Sequence, residues 1–142
     1  MIFYKNGSRP FWNFVSTKNK RKAIHIQFKI MESTSNGEIA FIGKYLIPAA
    51  SKETFLERQN IARAYIHTLA GFVRDHAYER ITENGDTEYI TIATWTNDEA
   101  LNNARELVQA ENDRQGFDRA AMLKKLNIKM EPGVFQEDHA RP

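Results

Sequence analysis

The chain has 142 residues, is 42% hydrophobic and carries a formal charge of +2, which suits one domain with a packed core. It contains no cysteine, so disulfides, thiolate nucleophiles and cysteine-bound zinc or iron–sulfur centres are excluded. No apolar run approaches the roughly 20 residues of a membrane-spanning helix, and no membrane partner is expected.

The charge is unevenly spread. Residues 1–29 hold seven basic groups and no acid, leaving 13 basic against 18 acidic groups in the remainder. The run from Lys18 to Lys22 has the composition of a phosphate-binding arm. An acidic body would repel such a ligand, so the arm reads as solvated and no nucleic-acid partner is expected. The N-terminus shows no secretory pattern, which together with the missing cysteines fits a cytoplasmic protein.

Residues 1–35 read as a basic extension, broken by Gly7, Ser8 and Pro10. Within it, residues 23–30 alternate Ile24, Ile26, Phe28 and Ile30 with polar neighbours, which predicts an edge strand. Met31 is an alternative start. The domain spans residues 36–136, and 137–142 form a polar tail.

The first body strand is residues 38–47, EIAFIGKYLI, ended by Pro48. Ile39, Phe41, Gly43, Tyr45 and Ile47 share one face; Ala40, Ile42, Lys44 and Leu46 share the other. Both faces are mostly apolar, unlike a strand with one wet side. Ser51 predicts the N-cap of a helix running to about Leu69, with Phe55, Ala62, Tyr65, Ile66 and Leu69 on one stripe and Gly71 as its stop. Phe72 to Thr82 predicts a second strand, on which Phe72, Arg74, His76, Tyr78 and Arg80 share a register. Asn84-Gly85-Asp86 predicts a hairpin turn, and Thr87 to Thr96 the returning strand. Thr96 and Glu99 then form a capping box for a helix carrying Leu101, Ala104, Leu107 and Val108 and ending near Gln115-Gly116. Asp118 caps a short third helix, and Ile128 to Gln136 form the last strand.

This order predicts an α+β, ferredoxin-like split βαβ fold with a four-stranded antiparallel sheet. Helices cover one face of such a sheet. The other face, apolar here, needs a cover, and a second copy packed sheet to sheet is the simplest one; the basic extension is the alternative cover.

Three segments, GKYLIPAASKETFLE, TLAGFVRDHAYER and TEYITIATWTNDEAL, resemble the antibiotic biosynthesis monooxygenase family. The resemblance rests on Pro48-Ala49 at the end of the first strand, Gly71-Phe72 opening the second, and Trp95-Thr96-Asn97-Asp98-Glu99-Ala100 at the third strand–helix junction. It implies a dimeric α+β barrel and a homodimer. It also implies a monooxygenase that oxidises a small aromatic, phenol- or quinol-type metabolite with O2 and uses no metal, flavin or other cofactor. A dimer of the same fold that binds a small molecule without turnover, as in a stress response, is the alternative.

The resemblance implies that the indole N–H of Trp95 holds substrate or oxygen. It also places Thr91 where quinone-forming members carry an asparagine, four residues upstream. Haem-degrading members pair the tryptophan with a histidine ten residues downstream and an asparagine on the first strand. This chain has Arg105 there and no Asn in residues 38–47, so haem degradation is not expected. Among the remaining residues, His76 is a candidate proton acceptor for a phenol. Tyr78 and Tyr45 are candidates to hydrogen-bond a substrate hydroxyl, and Arg74 to steady an enolate. The four histidines (His25, His67, His76 and His139) lack metal-ligand spacing, and no H-E-x-x-H, G-x-G-x-x-G, P-loop or G-x-S-x-G motif occurs.

Overall fold

The computed structural model describes residues 37–138. The predicted extension, its strand at 23–30, the basic run Lys18–Lys22, and His139 with the end of the tail lie outside these residues. Four strands, β1 (Ile39–Ile47), β2 (Phe72–Ile81), β3 (Thr87–Trp95) and β4 (Lys129–Gln136), form one antiparallel sheet in the order β2-β3-β1-β4. Helices α1 (Lys52–Ile66), α2 (Asp98–Gln115) and α3 (Arg119–Lys125) supply the crossovers. This is the split βαβ arrangement that the alternation of strand and helix patterns predicts.

Helices pack on one face. On β1, Ile39, Phe41, Tyr45 and Ile47 are buried, and they join Tyr89, Ala93 and Trp95 of β3. Two apolar clusters result. One sets Ile39, Phe41, Ala93 and Trp95 against Ile66 of α1 and Leu101, Ala104 and Val108 of α2. The other sets Tyr45, Ile47 and Tyr89 against Phe55 of α1 and Leu123 of α3. On the opposite face, Ala40, Ile42, Leu46, Ile90 and Ile92 are half-buried. Ile42 pairs with Ile92 across β1 and β3, so an apolar patch runs down the sheet centre. No helix among the described residues covers it.

Several local signals differ from expectation. Ser51 does not cap α1. Its hydroxyl donates to the carbonyl of Leu126 at 2.9 Å, which ties the start of α1 to the end of α3. Helix α1 stops at Ile66 rather than Leu69, with a tight turn carrying the chain to Gly71. Gly71 has φ +85°, and a Cβ there would lie 2.3 Å from Cβ of Ala100. The glycine therefore serves both the left-handed turn and the close passage beside α2. The cap of α2 is Asn97, not Thr96: its side chain accepts from the N–H of Ala100 at 2.9 Å. Asn97 is extended (φ −170°, ψ 178°) and so aims its amide oxygen back at the first turn, as an N-cap does. The Gly116 stop (φ +67°) and the Asp118 cap follow expectation. Pro132 sits in β4, an edge strand bonded only to β1, where its missing N–H leaves no ladder bond open.

Candidate functional site

A cavity of about 50 Å³ lies between the helices and the sheet. Its floor is Phe41 and Tyr45 of β1, Asp75 of β2, and Thr91 and Ala93 of β3. Its roof comes from α1 and α2, and one end is closed by Phe117 and Arg119. The sheet places these floor residues because each points toward the helices, where β1 and β3 also bury their core residues.

The end formed by Arg119 is chemically unusual. Arg119 is 5% exposed. Its Nη2 donates to the hydroxyl of Tyr45 at 2.7 Å and to Oε1 of Gln59 at 3.2 Å. Gln59 is itself buried on α1. Both partners are neutral, and among the described residues no carboxylate pairs with Arg119. Its Nε is buried without a hydrogen-bond partner among them. A buried cation normally has a counter-charge, because desolvating it alone is expensive. Arg58, also on the cavity wall, has its pKa lowered by burial and then by the charge of Arg119, against the pull of Glu111. Two guanidinium groups thus converge on one end of a small apolar space.

The other end is balanced. Asp75 accepts from Nε of Arg63 at 2.7 Å and lies 2.9 Å from Nε2 of His67. Burial pushes the Asp75 carboxyl up, but the bonds from Arg63 and His67 outweigh this and hold it below the usual carboxylate range. The bond to Asp75 raises the Arg63 pKa. Burial raises that of nearby Tyr89, against the opposing charge of Arg63. Arg63 and His67 stand one helical turn apart at the end of α1, so both reach the same carboxylate. His67 also stacks on Phe72, with ring centroids 4.8 Å apart.

The sequence-predicted site residues divide between the two faces. Tyr45 and Thr91 line the cavity. Trp95 is 2% exposed and lies beside it in the first apolar cluster, with its ring edge-on to Phe72 at 5.5 Å; it is not among the lining residues. Arg74, His76 and Tyr78 are on the opposite, helix-free face, paired with Thr94, Ile92 and Ile90. There Arg74 meets Glu38 at 3.2 Å, and His76 stacks on Tyr78 at 6.3 Å. The sequence register put Phe72 and His76 on one side. A bulge between Phe72 and Arg74 separates them: Phe72 pairs with Trp95 and Arg74 with Thr94. The extra residue turns every later β2 side chain over, and it is Asp75, not His76, that reaches the cavity.

Sequence reasoning missed Arg119, Gln59, Asp75, Arg63 and Arg58. A trace of Arg119 and Gln59 was present. Arg119 falls three and four residues before the apolar Met122 and Leu123, and Gln59 falls four after Phe55, so both lie on core-facing stripes. Among the described residues there is no group of three or more potential metal ligands. Nor is any helix among them long and apolar enough to cross a membrane.

A four-stranded antiparallel sheet with helices on one face and a cavity between the layers is the fold of antibiotic biosynthesis monooxygenases, and the chain has that fold. It is similar to SnoaB, a cofactor-independent oxygenase from Streptomyces nogalater. Against a crystal structure of that enzyme the identity is 25% and the TM-score 0.50, over 75% of this chain and 98% of that one. Against a point mutant of the same enzyme the identity is 24% and the TM-score 0.57, over 76% and 99%. A conserved Bacteroides thetaiotaomicron VPI-5482 protein of unknown function aligns with 16% identity and a TM-score of 0.56, over 72% of this chain and 100% of that one. No protein-family model and no curated protein sequence matches the chain.

Proposed function

We propose that the chain is a monooxygenase that binds a small phenol- or quinol-type aromatic as its anion in the cavity and oxidises it with O2, without metal or flavin. The observation that carries this reading is Arg119: a buried guanidinium, held by Tyr45 and Gln59, with no acid paired with it and one N–H unused among the described residues. The missing counter-charge is supplied by the ligand. The likeness to SnoaB, a cofactor-independent oxygenase, supports the reaction class.

The chemistry asks little of the protein beyond electrostatics. A phenolate or enolate is electron-rich enough to pass one electron to O2, giving a carbon radical and superoxide. These combine to a peroxide anion, which takes back a proton for the one lost on ionisation, and the resulting hydroperoxide loses water and leaves a carbonyl. One oxygen atom ends in the product, and the other leaves as water with both hydrogens of the oxidised carbon. Arg119 and Arg58 lower the cost of ionising the substrate in a dry site, where such charges act strongly. Asp75 is the one carboxylate on the cavity wall. The substrate proton leaves by way of Asp75 and His67, which is half exposed; Asp75 relays the proton and does not keep it, its carboxyl being held below the usual range. Trp95 supports the cavity from the side through Phe72.

The uncovered sheet face supports a homodimer. Ile42, Ile90, Ile92 and Leu46 form its centre, and Phe135 and Tyr78, 52% and 58% exposed, flank it on the outer strands. In this assembly Arg74, His76 and Tyr78 lie at the seam between two sheets rather than in the cavity.

A second reading, a binding protein of the same fold without turnover, draws on Thr91. By the resemblance to the antibiotic biosynthesis monooxygenases, its hydroxyl takes the position of an amide in quinone-forming members. Oxygen uptake separates the two. The protein is incubated with dihydroxyanthrone and naphthols in an oxygen-electrode cell while quinone absorbance is followed. Uptake matched by quinone supports the oxygenase. Saturable binding without uptake across the panel leaves the binder.

A further inference from the structure

The cavity is too small for the molecules it is proposed to bind. A protein cavity that admits one benzene ring measures roughly 150 Å³, while one water takes about 30 Å³ of liquid. At about 50 Å³ the cavity as it stands has room for O2 or a water but not for an aromatic ring. Some part of the wall must therefore give way.

Most of the wall is not free to do so. Its floor belongs to three strands joined by ladder bonds, and its roof is helix. Phe117 is the one lining residue in neither helix nor strand. It sits in the turn between α2 and α3, after left-handed Gly116. Its backbone is tied down, since its N–H donates to the carbonyl of Asn112 at 2.9 Å. Over its half-buried ring lies Arg58, with the guanidinium carbon 3.7 Å from the ring centroid. Arg58 is fixed in turn by a hydrogen bond to Gln115 in the last turn of α2.

We propose that Phe117 is the residue that sets the size of ligand the cavity admits, its ring rotating outward to let an aromatic molecule enter and the cation–π contact with Arg58 holding it shut. The proposal rests on the reading of the cavity as the binding site. It goes beyond that reading by naming the wall that moves. Rotation of the ring also frees the Arg58 guanidinium, the second cation at the Arg119 end, to turn toward the incoming anion.

A door differs from an ordinary contact in its kinetics. Loss of a contact speeds release alone, whereas loss of a door speeds entry and release together. Stopped-flow fluorescence with 1-naphthol measures both rates in the full chain and in Phe117→Ala, Phe117→Trp and Arg58→Met, with thermal melting to confirm that each is folded. Entry is expected to quicken about tenfold in Phe117→Ala, where the ring itself is gone, and about threefold in Arg58→Met, the scale of one partly exposed cation–π contact. Phe117→Trp is expected to slow it. Entry rates within twofold of one another in all four proteins, with binding intact, overturn the door and leave the cavity as the binding site. Absence of naphthol binding in every protein, Phe117→Ala included, overturns the cavity reading and the door with it.

Discussion

Arg119 Nη2 and the Tyr45 hydroxyl, 74 residues apart in sequence, meet at 2.7 Å across the layer between α3 and β1. The contact places a cation at the cavity's end with neutral partners only. Such a group is costly to fold around, and it is useful only if something negative arrives. Replacing Arg119 with Met, which keeps most of the volume, therefore separates function from stability. Folding stability is expected to stay level or rise by about 1 kcal/mol, because an unpaired buried charge is removed. Binding of a phenolate probe is expected to weaken about 10- to 100-fold, the scale of a charged hydrogen bond. Urea denaturation and isothermal titration on the same samples check both signs. A large loss of stability would mark Arg119 as structural.

Asp75 makes the protein acid-sensitive. Its folded carboxyl ionises more readily than an unfolded one, through its bonds to Arg63 and His67. Its contribution to stability is therefore complete above the unfolded value near ~3.9. It is lost as the pH falls through the lower folded value. Asp75→Asn is expected to cost about 1–3 kcal/mol at pH 7 and to flatten the stability loss below pH ~4. Glu111, held to about 2 by Arg114, is present in both proteins and cancels. Urea midpoints at several acid pH values for the pair measure the difference. Parallel curves would show that Asp75 carries no such linkage.

Gly71 tests the packing between the α1–β2 turn and α2. An alanine there is strained by φ +85° and would place its Cβ against Ala100. Gly71→Ala is expected to destabilise the fold by roughly 1–3 kcal/mol. The same change at Gly85, whose φ is +91° but whose Cβ would meet nothing, is expected to cost less. Comparing the two melting points isolates the steric part.

The sheet face that no described helix covers predicts a dimer. Light scattering at micromolar concentration is expected to give twice the chain mass, and Ile92→Arg to give a single chain that is still folded by circular dichroism. A wild-type chain that stays single on dilution from concentrated solution would leave the face to another cover.

The fold was readable because its signals are local: strand alternation in β1 and β3, the Asn84-Gly85-Asp86 turn, Gly116 and the Asp118 cap. The double-sided greasiness of β1 likewise announced a sheet with helices on one side only. The site was read only in part, and the reasons are particular. Tyr45 and Thr91 sit on regular strands and both line the cavity, but Thr91 was singled out through the family resemblance and not through any periodicity. His76 was put on the side of Phe72 because counting by two runs through Val73, and the bulge at that point has no mark in the residue types. Arg119 opens a short helix and was not singled out. Its burial depends on Tyr45 and Gln59, 74 and 60 residues away, and no periodicity encodes that distance.

The most direct measurement is the ionisation of a bound phenol. 4-Nitrophenol absorbs in the visible only as its anion, so a pH titration of the complex reports the pKa inside the cavity. With Arg119 as the unpaired cation beside it, the bound phenol is expected to ionise at least about one unit lower than in free solution, or about 1.4 kcal/mol, and to lose that shift in Arg119→Met. A bound phenol whose pKa is unchanged or raised, in a complex that Arg119→Met leaves intact, would contradict an anion-binding cavity.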